Sequence, residues 1–230
     1  MRTLAIDTSH PGGSVAACHG GTVCSRILGE AGGHSRLLAE RLTAVAREAG
    51  WEVADTQLVA VVRGPGSFTG LRVGVATAKA LAWAGGMRLL GVSGVEVVAR
   101  ETARLTGWDD RPLQIAFDAG RGEVYAAVAT ADDPFGWRIG PASLLSAADW
   151  IARLPPGSRV TGPALEPHAA AVASAGHLLA PEVAWFPAAV AVAAAAIPRA
   201  LSGAADDPHT LVPDYTRPSY ADERRVSEAG

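Results

Sequence analysis

Arg63-Gly64-Pro65-Gly66-Ser67-Phe68-Thr69-Gly70-Leu71-Arg72-Val73-Gly74 is the stretch whose reading decides the fold of this chain. Upstream, Leu58-Val59-Ala60-Val61-Val62 is an unbroken apolar run and reads as a buried strand. Downstream, an Ala-rich stretch to Ala84 reads as a helix. The seven residues from Gly64 to Gly70 hold three glycines, a proline and two hydroxyls. A strand, a glycine turn and a helix in succession bring backbone N–H groups together at the helix start. That is where α/β folds hold ligands or partners.

Outward from this junction the pattern alternates. Strands are expected at 2–7, 14–19 and 22–28, a helix at 35–49, the strand at 58–62, a helix at 69–84, a strand at 88–92 and a helix at 94–105. Breakers crowd Thr106-Gly107-Trp108-Asp109-Asp110-Arg111-Pro112 and mark a lobe boundary. Strands then recur at 113–118 and 123–130, with a third near 137–144. A helix at 146–153, a strand at 158–162 and helices at 165–175 and 187–202 complete the second lobe. This gives an N-terminal lobe over 1–107, a smaller lobe over 108–205 and a tail over 206–230. The end of the tail is expected to be poorly ordered.

Composition bounds what the chain can be. Apolar residues make up 49% of 230 and charged residues only 19%, enough apolar surface for a real core. A net charge of −3 lacks the basic footprint of a protein that binds tRNA or DNA by itself. If Gly20-Gly21 forms a two-residue hairpin, Cys18 lies opposite Val23 and Cys24 opposite Ala17. The two thiols then point to opposite sheet faces and do not pair. Two such thiols suit a reducing cytoplasm. Asp7 comes too early for a signal peptide, and Ala188–Ile197 is too short to span a bilayer. The expectation is a cytoplasmic protein with no membrane contact.

The chain carries an internal repeat. Leu4-Ala5-Ile6-Asp7-Thr8-Ser9 runs through His10-Pro11-Gly12-Gly13 into Ser14–Cys18. Ile115-Ala116-Phe117-Asp118-Ala119 runs through Gly120-Arg121-Gly122 into Glu123–Ala127. Each is a strand ending in Asp, a glycine turn and a second strand, which suggests duplicated lobes. An Asp before a glycine turn is also a common hairpin device. The pattern resembles the actin/Hsp70/sugar-kinase superfamily. That resemblance implies an α/β, two-lobed, RNase H-like duplicated fold, here with a reduced second lobe. In the superfamily the paired turns clasp ATP phosphates and the Asp residues hold Mg²⁺ through water. Asp7, Thr8 and Ser9, with Asp118 and Gly120, are therefore candidate vestigial phosphate turns.

The signature at 64–74 resembles that of the TsaB (YeaZ) family, historically grouped as peptidase M22 glycoprotease-like. Other landmarks follow in order: Ala5-Ile6-Asp7-Thr8-Ser9, His34-Ser35-Arg36-Leu37-Leu38, Gly91-Val92-Ser93, Asp118–Tyr125 and Pro213-Asp214-Tyr215-Thr216-Arg217-Pro218. The resemblance is strongest over 1–125 and loose over 130–210. It implies an accessory role in threonylcarbamoylation of the adenosine beside the anticodon, in tRNAs that read codons beginning with A. The family scaffolds a paralogous transferase, TsaD, and the small ATPase TsaE joins them. It also implies that tRNA is met only through the complex, that ATP or ADP is bound only there and not by the isolated chain, and that the isolated chain forms a homodimer.

The residues offer little catalysis of their own. The catalytic paralogue holds a metal with His-x-x-x-His on one helical turn, because residues i and i+4 share a face. Here the second position is Leu38, and no other pair of the six His has helical spacing. No metal site and no catalytic residue is assigned. His34, at an expected helix start, reads as a cap or a partner contact. Ser67 and Thr69 read as helix caps more readily than as nucleophiles. The enzymatic alternative is a stand-alone ATP-dependent phosphotransferase. It would need a second-lobe glycine loop, but Gly162-Pro163-Ala164 has one Gly followed by a Pro that lacks an N–H.

Two helices offer faces instead. Leu38, Leu42 and Val45 form one stripe. Gly70, Gly74 and Ala78 recur at i, i+4 and i+8, beside the more apolar Leu71 and Val75. A small-residue stripe admits a close backbone. Both sets can cover the chain's own sheet, or they can meet a partner. With the family implying helix pairing with TsaD, His34, Leu38, Leu42, Val45, Gly70, Leu71, Gly74, Val75 and Ala78 form the expected partner interface.

Overall fold

Two sheets of the same topology organise the molecule. A computed structural model describes residues 1–29, 34–107, 111–133 and 136–215, with the backbone alone described for 34–36, 132 and 133. The first half runs β1 (Thr3–Asp7), β2 (Ser14–His19), β3 (Thr22–Ile27), α1 (His34–Glu48), β4 (Leu58–Gly64), α2 (Phe68–Gly85), β5 (Arg88–Ser93) and α3 (Gly94–Thr106). The second runs β6 (Leu113–Gly120), β7 (Glu123–Asp133), β8 (Gly136–Ile139), β9 (Ser143–Ser146), α4 (Ala147–Arg153), β10 (Arg159–Thr161), α5 (Leu165–Ser174), β11 (Leu178–Leu179) and α6 (Ala189–Leu201).

The sheet orders are β3-β2-β1-β4-β5 and, equivalently, β8-β7-β6-β10-β11. In each, the first three strands are antiparallel and the fourth and fifth are parallel. The duplicated two-lobed fold is thus present. The third strand expected near 137–144 is two strands, β8 and β9, both paired with β7 on the side away from β6. The second lobe is the smaller: α4 and α5 have 7 and 10 residues against 15 and 18 in α1 and α2.

Strand alternation sorts the core. Leu4, Ile6, Val59 and Val61 face α1 and α2, and Ala5, Ala16, Ala60 and Val62 face the other side. In the β2–β3 hairpin Cys18 lies opposite Val23 and Cys24 opposite Ala17, as the two-residue turn requires. The thiols are free and belong to opposite faces. Burial pushes the Cys18 thiol up to about 11.

The helix expected at 187–202 does not cover the second sheet. As α6 it packs on β1, β2, β4 and β5 of the first. The cause is size matching. Ala191, Ala193, Ala195 and Ala196 meet Ala5, Ala16 and Ala60, and side chains this short let helix and sheet backbones approach closely. Conversely, Val95, Val98 and Ala99 of α3 cover Leu113, Ile115 and Phe117 of the second sheet. Each half therefore supplies the helix that closes the other, and the breaker-rich boundary at 106–112 separates the chain but not the packing. A buried hydroxyl pair, Thr102 with Thr161 at 3.1 Å, joins α3 to β10.

The tail begins as a strap on the first lobe. Asp206 N donates to Leu89 O at 2.7 Å, and its carboxylate accepts from Gly91 N at 2.8 Å. Leu211 is buried in the first core, and Asp214 N donates to Arg63 O at 2.6 Å. The tail's end, from Thr216 on, lies outside the described residues.

Candidate functional site

The signature turn and the β1–β2 turn meet at the mouth of the cleft between the lobes. Asp7 ends β1 fully buried. Its Oδ1 accepts from Ser9 N at 2.8 Å, and its Oδ2 lies 3.0 Å from His10 Nε2. That same Nε2 is 3.1 Å from the Pro187 carbonyl, and the imidazole stacks on Phe186 at 4.8 Å. His10 thus clips the first-lobe turn to the segment leading into α6. Burial would lower the imidazole pKa, but the Asp7 carboxylate, the Pro187 carbonyl and the charge of Glu166 outweigh it and hold the pKa above its ordinary value.

The Gly70–Gly74–Ala78 stripe serves this turn. A Cβ at Gly70 would overlap the Thr8 carbonyl oxygen, and one at Gly74 would overlap the Thr8 hydroxyl. Thr8 Oγ1 donates to Gly70 O at 2.7 Å, and Ser67 N donates to Ser9 O at 2.7 Å. Ser67 also caps α2, its hydroxyl accepting from Gly70 N at 3.3 Å.

This placement corrects the expected interface. Leu38, Leu42, Val45, Gly70, Leu71, Gly74, Val75 and Ala78 are all buried within the chain. The small-residue stripe receives the chain's own β1 turn, and the Leu38–Leu42–Val45 stripe covers its own sheet. The side chain of His34 lies outside the described residues. What α2 does expose is a different face, with Phe68, Arg72, Ala76, Ala80 and Trp83, the last 71% exposed. Arg72 sits 3.8 Å over the Phe68 ring, and its Nε donates to Tyr215 Oη at 2.8 Å. The Pro213–Pro218 landmark marked the segment that supplies Tyr215, but nothing local in the sequence indicated that it reaches Arg72.

Between the lobes lies a cavity of about 280 Å³, bordered by Ser9, His10, Ser67, Phe117, Asp118 and Glu166 among others. It brings Ser9 and Asp118 of the two expected phosphate turns together. The superfamily's cofactor would need turn N–H groups facing the cleft. Here Ser9 N is bonded to Asp7, Gly12 N to His10 Nδ1 at 3.2 Å and Gly13 N to His10 O at 3.1 Å. Gly120 N is bonded to Asp118 at 2.8 Å, and Ala164 N to Ala116 O at 3.0 Å. These five donors are engaged within the chain, and the cleft is bordered by the carboxylates Asp118 and Glu166. Among the described residues no group of three His, Cys, Asp or Glu side chains is placed to hold a metal ion, and no helix is long and apolar enough to cross a membrane.

A family model described as TsaD, tRNA N6-adenosine threonylcarbamoyltransferase, matches residues 29–154, more than half of the chain. The tRNA threonylcarbamoyladenosine biosynthesis protein TsaB of Escherichia coli (strain K12) is 34% identical over 60% of this chain and 58% of its own length. The protein of the same name from Bacillus subtilis (strain 168) is 29% identical over 67% of this chain and 66% of its own. The matches thus span less than two thirds of either curated relative. The solved structure of YeaZ from Pseudomonas aeruginosa superposes with a TM-score of 0.78 at 24% identity, over 93% of this chain and 98% of that one, which supports the fold. From its duplicated topology, its signature turn and these matches, the chain belongs to the TsaB (YeaZ) family of proteins related to TsaD.

Proposed function

We propose that this protein is a non-catalytic scaffold subunit for threonylcarbamoylation of the adenosine beside the tRNA anticodon. It pairs with a TsaD-type transferase, a TsaE-type ATPase joins them, and tRNA is met only through the complex. The observation that carries the reading is membership of a family whose named relatives belong to tRNA threonylcarbamoyladenosine biosynthesis. Position 38 agrees with it. Where the resemblance to the transferase implies its second metal-binding His, this chain has Leu38, 2% exposed in its core.

The partner face is the outer side of α2. Trp83 and Phe68 with Arg72 are residue types that anchor interfaces, and Ala76 and Ala80 between them leave room for a second helix. The same face closes a homodimer when the partner is missing. Nucleotide is bound in the complex and not by the isolated chain. The test is reconstitution: a TsaD-type and a TsaE-type protein should need this chain for multiple turnovers on tRNA. Undiminished turnover without it overturns the scaffold role. Trp83→Asp should weaken pairing with the transferase by at least tenfold, about 1.4 kcal/mol. Unchanged affinity would move the interface elsewhere.

A further inference from the structure

We infer that the groove between α3 and α6 is a docking surface for an amphipathic helix of a partner protein, one with an apolar stripe and an acidic flank. The lead is the composition of α6. A helix that covers a sheet with one face ordinarily shows polar side chains on the other. α1 does so, with Glu40, Arg47 and Glu48 exposed. In α6, Arg199 is the only polar side chain of 13 residues. One face of α6 is seated on the first sheet. On the other side Val190, Ala194, Ile197 and Leu201 form a second apolar stripe at helical spacing. Ala194 and Leu201 are exposed, and Val190 and Ile197 are half-buried. The stripe runs roughly 16 Å, about three turns, long enough to meet residues i, i+4, i+7 and i+11 of a partner helix.

Shape and charge say what lies on it. Beside the stripe is a depression of about 290 Å³, bordered by Val190 and Ala194 of α6, Arg100, Glu101 and Arg104 of α3, and Trp137 of β8. That is small for a ligand site and suits a large apolar side chain of a partner. The charges around it differ in exposure. The side chains of Glu96 and Glu101 are 5% and 8% exposed, while Arg199 and Arg104, which pair with them, are 43% and 60% exposed. The carboxylates are held inside and the guanidiniums stand at the rim, so the surface meets its partner with positive charge. A second copy of this chain would set like charge on like charge. A bilayer would not fill the depression, and Trp137 borders that depression instead of anchoring a flat face. An acidic amphipathic helix satisfies both shape and charge. α6 lies on the face of the first sheet opposite α1 and α2, so this surface is separate from the outer side of α2 and does not rest on the scaffold reading.

The experiment is fluorescence anisotropy of the full chain with a labelled, stapled helical peptide of about 16 residues, with leucines at i, i+4, i+7 and i+11 and glutamates beside them. A twin with lysines for the glutamates is the counter-probe. Saturable binding of the glutamate peptide below about 100 μM is expected, at least tenfold tighter than that of the twin. Ala194→Glu and Leu201→Glu, both at exposed positions, should each weaken it at least tenfold with an unchanged melting temperature, and Trp83→Asp should leave it unchanged. No saturable binding, equal binding of the two peptides, or binding that Trp83→Asp removes and Ala194→Glu and Leu201→Glu do not would each overturn the assignment. A wild-type dimer that Ala194→Glu dissolves, or binding to phosphatidylserine vesicles that both glutamate substitutions abolish, would also overturn it, because the occupant would then be a second copy or a lipid surface.

Discussion

The two halves of the molecule share a topology and differ in how they finish the same turn. In both, the strand–turn–helix junction donates a backbone N–H to the first hairpin of its half, Ser67 to Ser9 in the turn after β1 and Ala164 to Ala116 within β6. In both, a glycine makes the approach possible. A Cβ at Gly70 would overlap Thr8 O, and one at Gly162 would overlap Ala116 O. The side chains then diverge. Asp7 and Asp118 each accept from the N–H two residues on, Ser9 and Gly120, at 2.8 Å, but Asp7 is fully buried and clipped by His10 while Asp118 is exposed. Close backbone contacts are what a duplicated fold must keep. The carboxylates they frame are free to take different partners.

The comparison can be broken most severely from the second core. Trp150→Ala, at a side chain 3% exposed among α4, α5 and β7, should cost about 3–5 kcal/mol. Because each half closes the other, circular dichroism and tryptophan fluorescence should report one coincident unfolding transition in denaturant. Two separated transitions would show that the halves fold independently. Next in size, Gly70→Ala, overpacked against Thr8 O, and Gly162→Ala, overpacked against Ala116 O at a φ of +112°, should each cost about 1–3 kcal/mol. A loss at one site only would end the claim that the junctions are equivalent.

Two smaller effects sharpen the asymmetry. Ser67→Ala should cost about 1 kcal/mol through the lost cap of α2. The matching junction of the second half has no such cap, since the N-cap of α5 is Ala164. Smallest is the His10 clip, at most about 1 kcal/mol. Its folded pKa is raised above the ordinary value near 6.5. The stability it adds is therefore fully present below about pH 6.5 and is lost as pH rises through the raised value. Melting temperatures across that window should fall in the wild type and run flatter in His10→Ala.

Much of this architecture is legible in the sequence, for physical reasons that also explain the misses. Strand boundaries and the opposed thiols follow from period-2 alternation and a glycine hairpin, which are local. The partner of a helix face is not local. Gly70, Gly74 and Ala78 announce that a backbone comes close, and the backbone turns out to be Thr8 of the same chain. The alanines of α6 announce a tight seat but carry no mark of which sheet provides it, and chain order pointed to the wrong one. His10 drew no attention as a lone histidine in a turn. Its role depends on Pro187, far along the chain.

The exchange of α3 and α6 has a consequence for how the protein can be taken apart. A fragment ending at Thr106 would carry the lid of the missing sheet and leave the Ala5–Ala16–Ala60 surface of its own bare. A fragment starting at Arg111 would be bare over Leu113, Ile115 and Phe117. Neither piece should be soluble when expressed alone, yet each holds what the other lacks. Co-expressed, the two should find one another and reassemble, making this chain a natural starting point for a split-protein pair.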